Sequence, residues 1–239
     1  MKTLSVVFIL LSSLIQNAVA AALTNGDFGS GSFAGWTDTG NTEVVSCLGG
    51  VCPPSGNLKQ AFLGTNGTAV YALGNGAPAT AAALAGALGV TGAMLDGLTA
   101  PSDSVKFGSS IRQSFTANTG SKVSFSWNFV TDESANPIAD DYAFFILDGT
   151  LTRLANTFST LGATPTAFTF ETGYKSVNVT LAASGQHDIA FGVVDVHDAL
   201  GASGVLIDNV RVSAVPLPAG LWLFTTAWAS LGLRLRRKS

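Results

Sequence analysis

Charge is scarce in this chain: Asp, Glu, Lys and Arg make up 11% of its 239 residues. Basic residues are scarcest in the body. Of the twelve, five (Lys2, Arg234, Arg236, Arg237 and Lys238) lie at the two ends. Residues 21–215 keep seven against all fifteen acidic ones, a net charge near −8. Phosphate backbones need a basic surface, so no nucleic-acid partner is expected, whereas divalent cations and neutral sugars suit such a body. Histidine is limited to His187 and His197, and neither has a His or Cys neighbour in sequence, so a structural zinc site lacks ligands. His197, in Asp195-Val196-His197-Asp198, reads as a rim histidine hydrogen-bonded in a loop. Enzyme signatures are missing as well. There is no Gly-x-Ser-x-Gly elbow and no His-Glu-x-x-His. Gly29-Ser30-Gly31-Ser32-Phe33-Ala34 has the spacing of a dinucleotide fingerprint, but no βαβ unit surrounds it, and it reads as a turn.

Only two cysteines occur, Cys47 and Cys52, separated by Leu48-Gly49-Gly50-Val51 and followed by Pro53-Pro54. A metal site would need more soft ligands nearby, so a local disulfide is expected, as an oxidising compartment favours. Such a compartment agrees with the N-terminus. Lys2, an apolar core over Leu4–Ile15 and the small-x-small triplet Ala18-Val19-Ala20 form a secretory signal peptide. Cleavage after Ala20 starts the mature chain near Ala21, and signal peptidase becomes an expected partner.

The C-terminus is the other apolar run. Val215-Pro216-Leu217-Pro218-Ala219 precedes Leu217–Leu233, which matches the shortest membrane-spanning helices at roughly 17 residues. Trp222 and Trp228 suit the interfaces, and the terminal basic residues should stay cytoplasmic. A permanent single-span anchor is the plain reading. The three parts in order, Pro motif, apolar run and basic end, resemble the VPLPA variety of PEP-CTERM sorting signals. That resemblance covers Val215 to Ser239. It implies recognition by an exosortase, a membrane-embedded transpeptidase of Gram-negative bacteria. It also implies a transient inner-membrane anchor, cleavage near the motif, and delivery to the cell surface or extracellular matrix.

Between the ends, 27 glycines, many Thr and Ser, and few Lys or Glu suit a turn-rich all-β domain of residues 21–214. In Lys122–Val130 the residues Val123, Phe125, Trp127 and Phe129 share one face, the period of a half-buried strand, which puts Trp127 in the core. Ser110–Thr116, Tyr142–Leu147, Ala167–Glu171, Ser176–Leu181, Asp188–Val194 and Val205–Val212 read as further strands. Leu23–Phe28, Thr42–Cys47 and Leu58–Leu63 are weaker strand segments, and Asp148-Gly149 is a hairpin signal. One helical insertion is predicted over about 78–98, with Thr80 as N-cap and Leu84, Leu88, Leu95 and Leu98 on one face; Gly86, Gly89 and Gly92 weaken it. The expected fold is a two-sheet antiparallel β-sandwich of the jelly-roll kind.

Two sets of residues point to chemistry. Asn25-Gly26-Asp27-Phe28 leading to Gly35-Trp36, with Leu206–Val212 at the far end, resembles the first and last strands of galactose-binding-like jelly rolls. That group includes many carbohydrate-binding modules. The resemblance implies a structural calcium near Asp27 and Asp208, although Gly29 stands where the group has Glu. An Asx-rich turn is the alternative. The second set is Asp132, Glu133, Asp140, Asp141, Asp195 and Asp198, all at strand ends. If these meet at one rim, their mutual repulsion calls for a cation, and oxygen donors favour calcium; solvated loops are the alternative. Phrases from Trp127–Glu133, Asp141–Phe144 and Gly192–Val196 also resemble secreted PEP-CTERM domain proteins.

Sugar recognition needs aromatic platforms outside the core, and Trp36, Tyr71, Tyr142 and Tyr174 are the candidates. The leading expectation is a non-catalytic surface or matrix protein that associates with extracellular polysaccharide. A glycan hydrolase using a pair among Asp132, Glu133, Asp141, Asp195 and Asp198 is one alternative. A purely structural matrix protein is another.

Overall fold

The computed structural model describes residues 23–66, 76–101, 103–133, 140–197 and 201–214. The expected leader and sorting tail, Tyr71 and Asp198 lie outside the described residues. Among the described residues, no helix is long and apolar enough to cross a membrane.

In chain order the elements begin with β1 (Thr37–Thr39), β2 (Asn41–Val45), β3 (Gln60–Gly64), β4 (Ala79–Thr80), α1 (Ala81–Leu88) and α2 (Gly92–Asp96). The long strands β5 (Val105–Ala117) and β6 (Lys122–Thr131) follow, then β7 (Tyr142–Leu147), β8 (Thr150–Asn156), β9 (Gly162–Ala163) and β10 (Phe170–Glu171). The chain closes with β11 (Lys175–Thr180), β12 (Gly185–Val196) and β13 (Ser203–Ser213). They form an all-β, two-sheet antiparallel sandwich with two short helices. The first sheet runs β1-β5-β12-β7-β8, with β4 on β5; the second runs β2-β3-β13-β6-β10-β9, with β11 also on β6.

Alternation builds the core between the sheets. Val123, Phe125, Trp127 and Phe129 of β6 face Ala143 and Phe145 of β7 and Ile189, Phe191 and Val193 of β12. The ring of Phe125 meets Phe145 at 5.1 Å and Phe191 at 4.7 Å, both edge to face, the geometry that aromatic quadrupoles favour. Trp127 is 4% exposed, in the core where its alternation puts it.

The chain passes from the first sheet to the second at Gly40, between β1 and β2. A side chain there would meet Ser109 Oγ at 2.5 Å and Gly108 O at 2.7 Å, and its φ of +88° favours glycine.

The structure differs from the predicted elements in several places, beyond the short added strands β1, β4 and β9. Leu23–Phe28 is a set of turns, because Asn25 and Phe28 take φ of 51° and 52°. The Asn25 amide donates to Ser32 O and Ala34 O, giving the backbone a local alternative to a ladder. The strand expected over Ala167–Glu171 contracts to Phe170–Glu171. The insertion forms two helices rather than one: Gly89, at φ 70°, ends α1, and Thr91 caps α2 by accepting from Met94 N. Thr80 does cap α1, accepting from Ala83 N. β8 was not expected; its register shifts against β7 at Ala143/Phe144, which breaks simple alternation.

Candidate functional site: an open groove, an acidic rim and a buried aspartate

The crossing at Gly40 creates a groove. The turn through Ser32 and Phe33 stands against Asp38, Thr42 and Glu43, and the space between them is about 350 Å³. It is an open cleft. Asp38 is held in place by accepting from Thr42 Oγ1 at 3.1 Å. Hydroxyls, two carboxylates and one half-buried phenyl ring therefore line it, with no Lys or Arg among the lining residues.

The acidic residues gather at one end of the sandwich. β6 ends and β13 begins there, with Asp132 N donating to Ala202 O. β7 begins and β12 ends there too, paired through Tyr142 and Val194. Asp141 Oδ1 accepts from Val196 N at 2.8 Å, which ties the bulge at Asp195/Val196 to the start of β7. Asp195 is itself 4% exposed. Asp132 accepts from Thr169 Oγ1, and Glu133 N donates to Thr131 Oγ1. Asp140 accepts from Thr157 Oγ1 and from Asn156 Nδ2, and its charge is met by Arg153 at 3.6 Å. Among the described residues, no group of three or more His, Cys, Asp or Glu is placed to hold a metal ion. His197 lies on this rim, hydrogen-bonded to Asp103 at 3.1 Å.

The segments carrying Asp27 and Asp208 do come together. Val210 N donates to Gly26 O, which ties the turn carrying Asp27 to β13 two residues past Asp208. Asp208 has no exposed surface, and burial raises its carboxyl above the usual range; hydrogen bonding, that from Ser55 foremost, opposes the rise, and the charge of Asp27 adds a smaller push upward. Its Oδ2 accepts from Ser55 N at 3.0 Å, while Oδ1 is buried without a hydrogen-bond partner. A buried carboxylate oxygen left unsatisfied carries a desolvation cost that a cation would remove. Calcium takes oxygen donors of this type, and the unsatisfied Asp208 oxygen is one such donor.

The described aromatic candidates are not surface platforms. Trp36 is 7% exposed; its indole donates to Asn25 O and packs on Phe28 and Phe191. Tyr142 is fully buried, its hydroxyl donating to Leu95 O, and burial pushes its phenol pKa upward. Tyr174 is half-buried and donates to Gln60 Oε1, with its phenol likewise raised by burial. All three rings lie under segments that local alternation does not register. Among the described residues the exposed aromatic is Phe158, in the turn after β8. No periodicity marks a ring in a turn.

Cys47 and Cys52 form the expected disulfide.

No protein-family model matches the chain, and no curated protein matches it in sequence. Solved structures do match in shape. The structure titled TmCBM61 in complex with β-1,4-galactotriose aligns over 81% of this chain and 97% of its own, at 13% identity and a TM-score of 0.41. A structure titled family 16 carbohydrate binding module-2 aligns over 79% of this chain and 96% of its own, at 13% identity and a TM-score of 0.35. The enzymatically active domain of bacteriophage CBA120 tailspike protein 4 aligns over 81% of this chain and 21% of its own, at 13% identity and a TM-score of 0.38.

Proposed function

We propose that this chain is an exported, surface-sorted, non-catalytic jelly roll that associates with extracellular polysaccharide and is stabilised by calcium between Asp27 and Asp208. The observation that carries the polysaccharide reading is the open groove at the β1–β2 crossing. Its hydroxyls and carboxylates can exchange hydrogen bonds with sugar hydroxyls, and Phe33 offers an apolar surface to a pyranose ring. An open cleft also admits an internal segment of a long chain, which a closed pocket would not. The absence of basic lining suits neutral sugars.

Export is supported by the leader through Ala20 and by the Cys47–Cys52 disulfide, which persists in an oxidising compartment. Sorting is supported by Val215-Pro216-Leu217-Pro218-Ala219, the apolar run and the basic end. An exosortase-type transpeptidase and the inner membrane are then transient partners.

Affinity electrophoresis through gels containing neutral polysaccharides tests the binding reading. The parent chain should be retarded, and Asp38→Ala combined with Phe33→Ala should reduce the retardation. Release of reducing ends from the same polymers would overturn the non-catalytic assignment. The metal is tested separately, by thermal unfolding with calcium and with a chelator. A calcium-dependent rise in midpoint that Asp208→Asn abolishes supports it, because a ligand bound only by the native state stabilises that state. An identical midpoint in both conditions rejects it. For sorting, the mass of the exported product should place its C-terminus near the Pro motif, and an uncut tail would reject transpeptidation.

A further inference from the structure

We infer that a second glycan-contact platform lies on the rim after β8, centred on Phe158, and that it takes the face of a neutral hexopyranose. This rests on the reading that the protein binds polysaccharide; it adds a separate place and a sugar chemistry.

Phe158 is 50% exposed, the one aromatic among the exposed large apolar side chains of the described residues; the others are Leu58 and Met94. Its ring belongs to none of the three apolar clusters. Yet the backbone beneath it is firmly held. Ser159 N donates to Asn156 O at 2.9 Å, and Asn156 N donates to Ser159 Oγ at 3.0 Å, so the turn is closed from both sides. Ser159 Oγ donates in turn to Asn156 Oδ1 at 3.0 Å. Next to the ring, Thr157 is 2% exposed; its N–H reaches Asp141 O and its hydroxyl reaches Asp140 Oδ1. An exposed ring on an immobilised turn binds with little further loss of conformational freedom.

The surroundings set the ligand chemistry. Asn156 Nδ2 donates to Asp140 Oδ2 at 2.8 Å, and Arg153, on the same strand, lies 3.6 Å from that oxygen while Nη1 donates to Leu98 O. The Arg153 side chain is 40% exposed, so part of its five-donor fork remains open to water. The negative face of a phenyl ring attracts the C–H bonds of a pyranose face. Asp140 already balances the charge of Arg153, which favours a neutral sugar over an anionic one. A single ring with a charged border is also too small for the apolar centre of a stable protein interface.

The test is affinity electrophoresis of the full chain, in mild detergent, through gels containing β-1,4-galactan, β-glucan, mannan or dextran. Phe158→Ala and Phe158→Leu should each weaken the retardation by about tenfold, with an unchanged unfolding midpoint, and Phe158→Tyr should retain it. Retardation of the parent that persists unchanged in Phe158→Ala overturns this platform and leaves the groove as the binding site. Retention by Phe158→Leu also overturns it, since leucine keeps apolar volume without a π face. A parent that moves freely in all four gels overturns both this inference and the polysaccharide reading.

Discussion

Each sheet of the sandwich has an outer face, and the two are covered by opposite means. Over the first sheet lie α1 and α2. Leu84, Leu88 and Leu95 pack on Tyr142, Phe144 and Ile146 of β7 and on Ala190 and Val194 of β12, so the cover is almost wholly apolar. Over the second sheet lie the Cys47–Cys52 loop and the segment around Phe168. Leu48 and Phe168 pack on Phe62, Val130 and Leu206. Here polar side chains are also buried: Gln60 donates to Ser46 O and Val51 O, and Asn128 donates to Glu171 Oε2. A helix satisfies its own backbone and needs only an apolar stripe to dock. A loop has no internal ladder, so its backbone groups must find partners in the sheet, and a covalent staple limits the freedom it regains on unfolding. The same task, burying a second sheet face, thus takes hydrophobic packing on one side and hydrogen bonds with a disulfide on the other.

The difference can be broken from either side. The largest effect is expected under the helices: Leu95→Ala, at a residue with no exposed surface, should destabilise by about 3 kcal/mol in denaturant unfolding. Replacing Cys47 and Cys52 together by Ser should cost about 2 kcal/mol, the chain-entropy value for so short a loop, and reductant should lower the parent to the variant's stability while leaving the variant unchanged. Removing the α1 cap with Thr80→Ala should cost about 1 kcal/mol, with no change in reductant sensitivity.

The smallest effect is expected at Asp208, and it depends on pH. Its folded carboxyl holds a proton more tightly than the unfolded chain does, so ionisation opposes folding. That penalty is absent below the ordinary carboxylate value and grows as pH rises through the raised folded value. In chelator, Asp208→Asn should therefore be more stable than the parent at pH 7, and the gap should close towards pH 3. Added calcium should reverse the order at pH 7. A gap that widens on acidification would remove Asp208 as the cause.

Much of this architecture was legible from local patterns. Val123–Phe129 announced a one-sided strand, and the structure buries those alternate residues between the sheets; it also buries Ser126 and Asn128 on the opposite face, where Asn128 donates to Glu171, so the strand is not half-exposed. The six apolar residues of Tyr142–Leu147 carried a further message. An unbroken apolar run means a strand buried on both faces, and Tyr142 is buried beneath α2 rather than offered to a ligand. Trp36 shows the same limit: a Gly-Trp phrase does not say that Phe28 and Phe191 close over the indole. Phe158 is the converse, a ring in a turn that no period marks and that the fold leaves half in water.

By itself, the sequence was enough to place the main strands, the Cys47–Cys52 bridge, the Thr80 cap and the acidic, cation-compatible character of the body, because these depend on neighbours a few residues apart or on composition. Tertiary structure alone decided which faces are covered, that the turn carrying Asp27 is tied to the strand carrying Asp208 while the rim carboxylates take separate partners, and that a groove opens at Gly40. Those outcomes depend on residues far apart in the chain, such as Asp208 and Ser55 at the stapled loop. No local period can report a contact that exists only once both sheets have closed.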